Sequence, residues 1–243
     1  FTYNVATDVW DQVGSAIDGQ EDNEHLGFAV SLDDAGTRLA IGADLHDAGG
    51  TDRGRVQVFD YDGTTWNQLG ADIVGQVDLD QLGYSVSLNA AGDSVAIGIF
   101  GDDTVGGESG RTQIYDLIGL AWTQRGIDLD GEVAGDESGR SVSLSADGTR
   151  LAVGAPQHNG AEGHTRVYEY GRQFTQRVIS TTAEGARSVY AADVDGDGLV
   201  DVLCLEGGHV QDGAEDLALQ IADARDLDHR RAHVGSALGR LQG

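Results

Sequence analysis

The chain of 243 residues carries 41 Asp and Glu against 15 basic residues, a formal net charge of −26. Every basic residue is an arginine, and these are thinly scattered, so no basic stripe exists to neutralise phosphates; nucleic acid and anionic membrane surfaces are excluded as partners. With 40% hydrophobic residues the chain has enough apolar surface to bury a core and is not disordered, while no apolar run approaches the roughly 18 residues of a membrane span.

Glycine is abundant at 37 residues, proline occurs once, and Asp outnumbers Glu by 31 to 10. Such a composition favours turns and strands over helices. Cys204 is the sole cysteine, so no disulfide within the chain is possible. The chain opens at Phe1 without a charged-then-apolar signal segment and contains no Met, as expected of a processed or truncated piece. The lack of Lys and the excess of Asp fit a high-salt setting, where hydrated carboxylates keep a protein soluble.

A repeat of 56 residues organises the sequence. Trp10, Trp66 and Trp122 stand in matching frames, Trp-Asp-Gln-Val-Gly, Trp-Asn-Gln-Leu-Gly and Trp-Thr-Gln-Arg-Gly. Aligned on these tryptophans, the opening Phe1–Val5 matches Gln57–Tyr61, so residues 1–14 are expected to be part of a preceding unit. Three units follow over 15–178. Their segments 29–43, 85–99 and 141–155 repeat at the same interval, as do 55–61 and 111–117, with 164–170 three residues early. Phe28, Val30, Leu32 and then Leu39, Ile41 alternate with period two, which is strand periodicity. Asp33–Gly36 and Asp62–Gly63 read as hairpin turns. The first unit therefore predicts strands near 28–32, 38–43, 55–61 and 65–70.

Four short antiparallel strands in each 56-residue unit predict an all-β fold, a β-propeller of four-stranded blades. A β-solenoid would have shorter coils, and an open sheet would leave long unpaired edges. The expected ring is incomplete, with three well-marked units and pieces on either side.

Residues 193–201 read Asp-Val-Asp-Gly-Asp-Gly-Leu-Val-Asp. Carboxylates this close repel one another unless a cation sits among them. Asp193, Asp195, Asp197 and Asp201 are expected to supply side-chain oxygens and Leu199 a backbone carbonyl. An all-oxygen set selects Ca²⁺ over Zn²⁺, while Mg²⁺ would want a more rigid octahedron. An EF-hand needs a bidentate Glu at loop position 12, where this chain has Cys204, and the flanks Ser188–Ala192 and Val200–Leu205 are strand-like. The segment 179–205 thus resembles the calcium-binding β-hairpin loop of FG-GAP repeats, which build the β-propeller of integrin α subunits and occur in related surface proteins. Gly154-Ala155-Pro156 reproduces the Gly-Ala-Pro ending of that family, whereas Gly42-Ala43-Asp44 and Gly98-Ile99-Phe100 depart from it; Leu26-Gly27, Leu82-Gly83 and Ser138-Gly139 stand where a Phe-Gly pair would be. The resemblance implies a calcium-binding, extracellular or cell-surface scaffold for adhesion, with a protein or glycan partner held by loops on one face. Turns at 33–36, 89–92 and 145–148 are too short for a calcium cage.

Other candidates receive simpler readings. The acidic clusters Asp18, Glu21, Asp22, Glu24 and Asp130, Glu132, Asp136, Glu137 are read as solvated loop faces in preference to a second calcium site. The variable loops 44–53, 100–110 and 156–163 are the expected partner surface. His229 and His233 share a helical spacing, but Arg230 and Arg231 beside them would repel a cation. Residues 206–243 abandon the repeat as an atypical tail, with short helices over 217–224 and 232–241 or no structure. No Gly-x-Ser-x-Gly elbow, P-loop or Cys–His pair is present, so the chain is read as a non-enzyme; the alternative is a propeller-type hydrolase or lyase acting on carbohydrate.

Overall fold

The computed structural model describes residues 2–5, 7–47, 49–170, 174–180, 186–192, 201–206 and 219–222. The chain opens with the hairpin β1 (Thr2–Asn4) and β2 (Val9–Asp11), in which Tyr3 lies opposite Trp10. The first sheet comprises β3 (Ala29–Leu32), β4 (Arg38–Ala43), β5 (Arg55–Tyr61) and β6 (Trp66–Gln68), joined by the short β7 (Ile73–Val74) on β5. The second repeats it with β8 (Leu82–Leu88), β9 (Ser94–Ile99), β10 (Arg111–Ile118), β11 (Ala121–Gln124) and β12 (Leu129–Asp130) on β10. The third contains β13 (Ser141–Leu144), β14 (Arg150–Ala155), a short helical turn α1 (His158–Ala161), β15 (His164–Tyr170) and β16 (Phe174–Ser180). A last sheet holds β17 (Ala186–Ala192), β18 (Asp201–Glu206) and β19 (Leu219–Ala222).

Each four-stranded sheet is an antiparallel meander, and each packs on the next through its first two strands: β3 and β4 on β8, β8 and β9 on β13, β13 and β14 on β17. Successive meanders stacked face to face are β-propeller blades. The repeat register is kept to the residue between the first and second sheets, where Tyr61 faces Trp66 and Leu117 faces Trp122; in the opening hairpin Trp10 faces Tyr3, two residues off that register. The four strands expected in the first unit fall within a residue or two of their observed bounds. In the tail, Leu219–Ala222 is a strand paired with β18, in place of the helix expected over 217–224. The second strand of this sheet, β18, leaves an open row of backbone donors and acceptors, and an apolar Leu-Gln-Ile-Ala segment satisfies it regardless of helical periodicity.

The turns at 33–36, 89–92 and 145–148 close tightly, with Gly36, Gly92 and Gly148 N–H groups donating back to Asp33, Asn89 and Ser145 carbonyls. Asp33 Oδ1 accepts from the Thr37 and Arg38 backbone N–H groups, so its carboxylate is engaged by the turn itself.

Three kinds of contact join the sheets. The Trp66 indole N–H donates to the Val13 carbonyl (3.0 Å), and the Trp122 indole to the Leu69 carbonyl (2.9 Å). Ser31 Oγ accepts the Leu88 N–H and Ser87 Oγ the Leu144 N–H, each at 2.9 Å. At Gly42 and Gly98 the next sheet comes so near that a Cβ would overlap the carbonyl oxygen of Gly83 or Gly139. Only glycine allows this backbone approach.

Burial follows the stacking. Leu88 and Leu144 are 6% and 5% exposed beneath the preceding sheet, whereas their counterpart Leu32 is 55% exposed. Phe28 and Val30 share that exposed row, so the strand alternation read from sequence is present but its apolar face lies open in the first unit. Leu144→Ala is expected to cost about 2–5 kcal/mol of unfolding free energy, while Leu32→Ala should stay within about 0.5 kcal/mol; urea titration of both variants measures the contrast. Gly98→Ala should destabilise the fold by more than its helix or strand propensity would suggest, because the backbone of the neighbouring sheet has to move.

Candidate functional site

Before β3, β8 and β13, the first strands of the three repeated sheets, runs a turn whose middle residue is an acid: Glu24, Asp80 or Asp136. The residues on either side adopt left-handed conformations, with φ of 65° and 58° at Asn23 and His25, 70° and 56° at Leu79 and Gln81, and 82° and 53° at Gly135 and Glu137. This reversal turns the acid inward, and Glu24, Asp80 and Asp136 are buried. The expectation of solvated acidic faces is corrected at Glu24 and Asp136; Asp18, Glu21, Asp22 and Glu132 remain exposed. The acids are buried because each meets a basic partner carried by the segments that follow.

In the first unit Arg55, at the start of β5, places Nη2 2.7 Å from Glu24 Oε2 and Nη1 2.9 Å from Asp72 Oδ2. His46 Nδ1 lies 3.1 Å from both Glu24 and Glu21. In the second unit Arg111 stands among three carboxylates, Asp80 at 3.1 Å, Asp102 at 3.2 Å and Asp128 at 3.1 Å. The Gln57 and Gln113 amides donate to the second oxygen of Asp72 and Asp128, and so do Gln68 and Gln124 of the Trp-x-Gln frames. Burial raises the pKa of Asp80 against the opposing pull of Arg111, and burial followed by the nearby Asp102 and Asp128 raises that of Asp130.

The third unit departs from this plan. Arg55 lies opposite Ala43, and Arg111 opposite Ile99; the residue opposite Ala155 is His164. Its ring packs on that of His158 with centroids 3.9 Å apart. His158 Nδ1 is 3.1 Å from both oxygens of Asp136, whose Oδ2 also accepts the backbone N–H groups of Glu132 and Val133. Glu132 Oε2 stands 3.9 Å from His164 Nδ1, and its Oε1 is 3.8 Å from Arg166 Nη1. Burial, then the neighbouring His158 and Arg166, lowers the pKa of His164, so the neutral imidazole is favoured. Glu132, His158 and His164 each bring a ligand atom within 4.8 Å of the others, and so do Glu21, Glu24 and His46.

Of the residues expected to hold calcium, Asp193, Asp195, Asp197 and Leu199 lie outside the described residues, as do His229 and His233. Asp201 opens β18 opposite Ala192, so the strands flanking 193–200 are an antiparallel pair. Two of the loops expected to face a partner, 44–53 and 100–110, have buried roots at Asp44, His46 and Asp102. Among the described residues no helix is long and apolar enough to cross a membrane.

A family model described as an FG-GAP-like repeat matches residues 144–204, from the end of β13 into β18. No curated protein matches the chain. Among solved structures the chain is similar to Kuenenia stuttgartiensis hydrazine synthase, at 14% identity and a TM-score of 0.47, over 79% of this chain and 49% of that one. It is also similar to a chain of a nidogen/laminin complex, at 8% identity and 0.47 over 76% and 57%, and to Saccharomyces cerevisiae Sqt1, at 10% and 0.48 over 80% and 46%. The chain spans about half the length of these structures.

Removing the central cation of the second seam would leave Asp80 and Asp102 buried without compensation. Arg111→Ala is expected to cost about 3–5 kcal/mol at pH 7. A raised pKa means that the contribution of Asp80 to stability is present below its unfolded value and is lost as pH rises through the folded one. Loss of the Arg111 pull raises the Asp80 pKa further in the variant, which therefore gains more on acidification than the wild type, so the penalty of Arg111→Ala should shrink toward pH 4; urea denaturation at the two pH values will measure it.

Proposed function

We propose that the protein is a calcium-binding, FG-GAP-like β-propeller that acts as an extracellular binding or adhesion scaffold without turnover. The observation that carries this reading is the Asp193–Asp201 run, with acids at loop positions 1, 3, 5 and 9, inside the matched span and flanked by two antiparallel strands. The donors fit the ion, since Asp193, Asp195, Asp197 and Asp201 with the Leu199 carbonyl form a hard, all-oxygen set. The bound ion would cancel repulsion among these acids and hold the hairpin closed. The exposed tips of loops 44–53, 100–110 and 156–163 would then present the protein or glycan partner with a surface on rigid blades.

Affinity in the range of extracellular modules, about 10⁻⁴ to 10⁻³ M, is expected. If Kd is about 0.1 mM, then 10 mM Ca²⁺ should raise the unfolding free energy of the wild type by about 2.7 kcal/mol. Asp195→Ala combined with Asp197→Ala should abolish that increment. An equal response of the two proteins to calcium would reject the site. Screening against polysaccharides and glycosides separates the scaffold, which should bind saturably without turnover, from a hydrolase or lyase.

A further inference from the structure

The seam of the third unit keeps the buried turn acid of its siblings, as Asp136, but sets His164 where they have Arg55 and Arg111. We propose that Glu132, His158 and His164 form a site for a divalent transition-metal ion of the Zn²⁺ type, with Asp136 as the positioning carboxylate.

Asp136 spans His158 Nδ1 at 3.1 Å and is itself held by two backbone N–H groups, leaving His158 Nε2 as the ligand atom. A carboxylate that fixes the far nitrogen of a ligating histidine is a recurrent second partner of zinc. His164 is 7% exposed, and its Nε2 is buried without a hydrogen-bond partner. Such an atom carries an uncompensated desolvation cost, which a bound cation would relieve. Ligands of a tetrahedral ion with bonds of about 2.0–2.1 Å lie roughly 3.3 Å apart. The three groups already converge within 4.8 Å, and a change of rotamer at the exposed Glu132 closes much of the difference.

The charge balance agrees. Glu132 and Asp136 contribute two negative charges and Arg166 one positive, and Arg166 Nη2 is committed to the Asp130 carbonyl and Ser138 Oγ at 2.9 Å each. Two imidazoles and one carboxylate suit Zn²⁺, Co²⁺ or Ni²⁺ and not Ca²⁺, so this site is chemically distinct from the Asp loop. The cluster of Glu21, Glu24 and His46 satisfies the same distance limit, but the Arg55 guanidinium lies 2.7 Å from Glu24 and fills the cation position. It serves as the internal control.

The test is titration of the full chain with Co²⁺, read by its visible absorption, and with Zn²⁺ by calorimetry, in saturating Ca²⁺. The wild type should bind one ion with the intense d–d bands of a low-symmetry site. His164→Arg restores the residue type of the other two units and should remain folded while losing the ion. His158→Gln should lose it as well, and Asp136→Asn should weaken it by about 10–100-fold. His46→Gln, and His229→Ala combined with His233→Ala, should leave binding unchanged. Absence of saturable binding in the wild type, or undiminished binding in a folded His164→Arg, overturns the proposal.

Discussion

Everything in this fold depends on how near the backbone of one sheet comes to the next. At Gly42 and Gly98 the second strand of a sheet admits the carbonyl of Gly83 or Gly139 where any side chain would collide. That approach lets Ser31 and Ser87 reach the backbone N–H groups of Leu88 and Leu144, and it presses the apolar faces of β8 and β13 onto their predecessors. The tryptophans add a second attachment at the outer end, tying each outer strand to a carbonyl 53 residues earlier. A sheet is therefore held at its inner edge by shape and at its outer edge by a directed hydrogen bond.

Between those two attachments lies the polar seam, and it behaves differently from the apolar contacts. Arg55 and Arg111 are buried or nearly so, and each gathers acids from the turn before its own sheet and from the end of it. Ion pairs of this kind add little net stability, since desolvation offsets most of the attraction, yet breaking one is costly. They specify which turn belongs against which strand. Where His164 stands in the place of that arginine, the turn keeps its geometry and its buried acid Asp136, and the guanidinium of the seam comes instead from Arg166, 3.8 Å from Glu132.

Much of the architecture was legible because the repeat carries it. The Trp frames, the Asp-x-x-Gly turns and the period-two runs locate the strands of the first three sheets, and the repeated Gly after each Ala-Ile or Ala-Val pair marks the close approach. The seam was not legible for a physical reason. Glu24 and Asp136 sit in acid-rich loops, and their burial is decided by partners 22 to 31 residues away that strand periodicity does not reveal. The signal that could have found the third seam is the alignment of the repeats themselves, which sets His164 in the column of Arg55 and Arg111. The strand Leu219–Ala222 was missed because a short apolar segment takes whichever form its neighbour's open edge demands.

The constancy of the links between sheets has a consequence for how such a chain can change its length. The tryptophan bonds join residues 53 apart and the serine bonds residues 57 apart, in each case from one unit to the next. Excision or duplication of one whole repeat rejoins two half-interfaces that already match, wherever the junction falls within the unit. Unequal recombination in the gene could thus add or delete blades without the redesign of any surface, whereas loss of half a repeat would leave an indole without its carbonyl and a glycine facing no backbone. Growth of this molecule is quantised in units of its own sequence period.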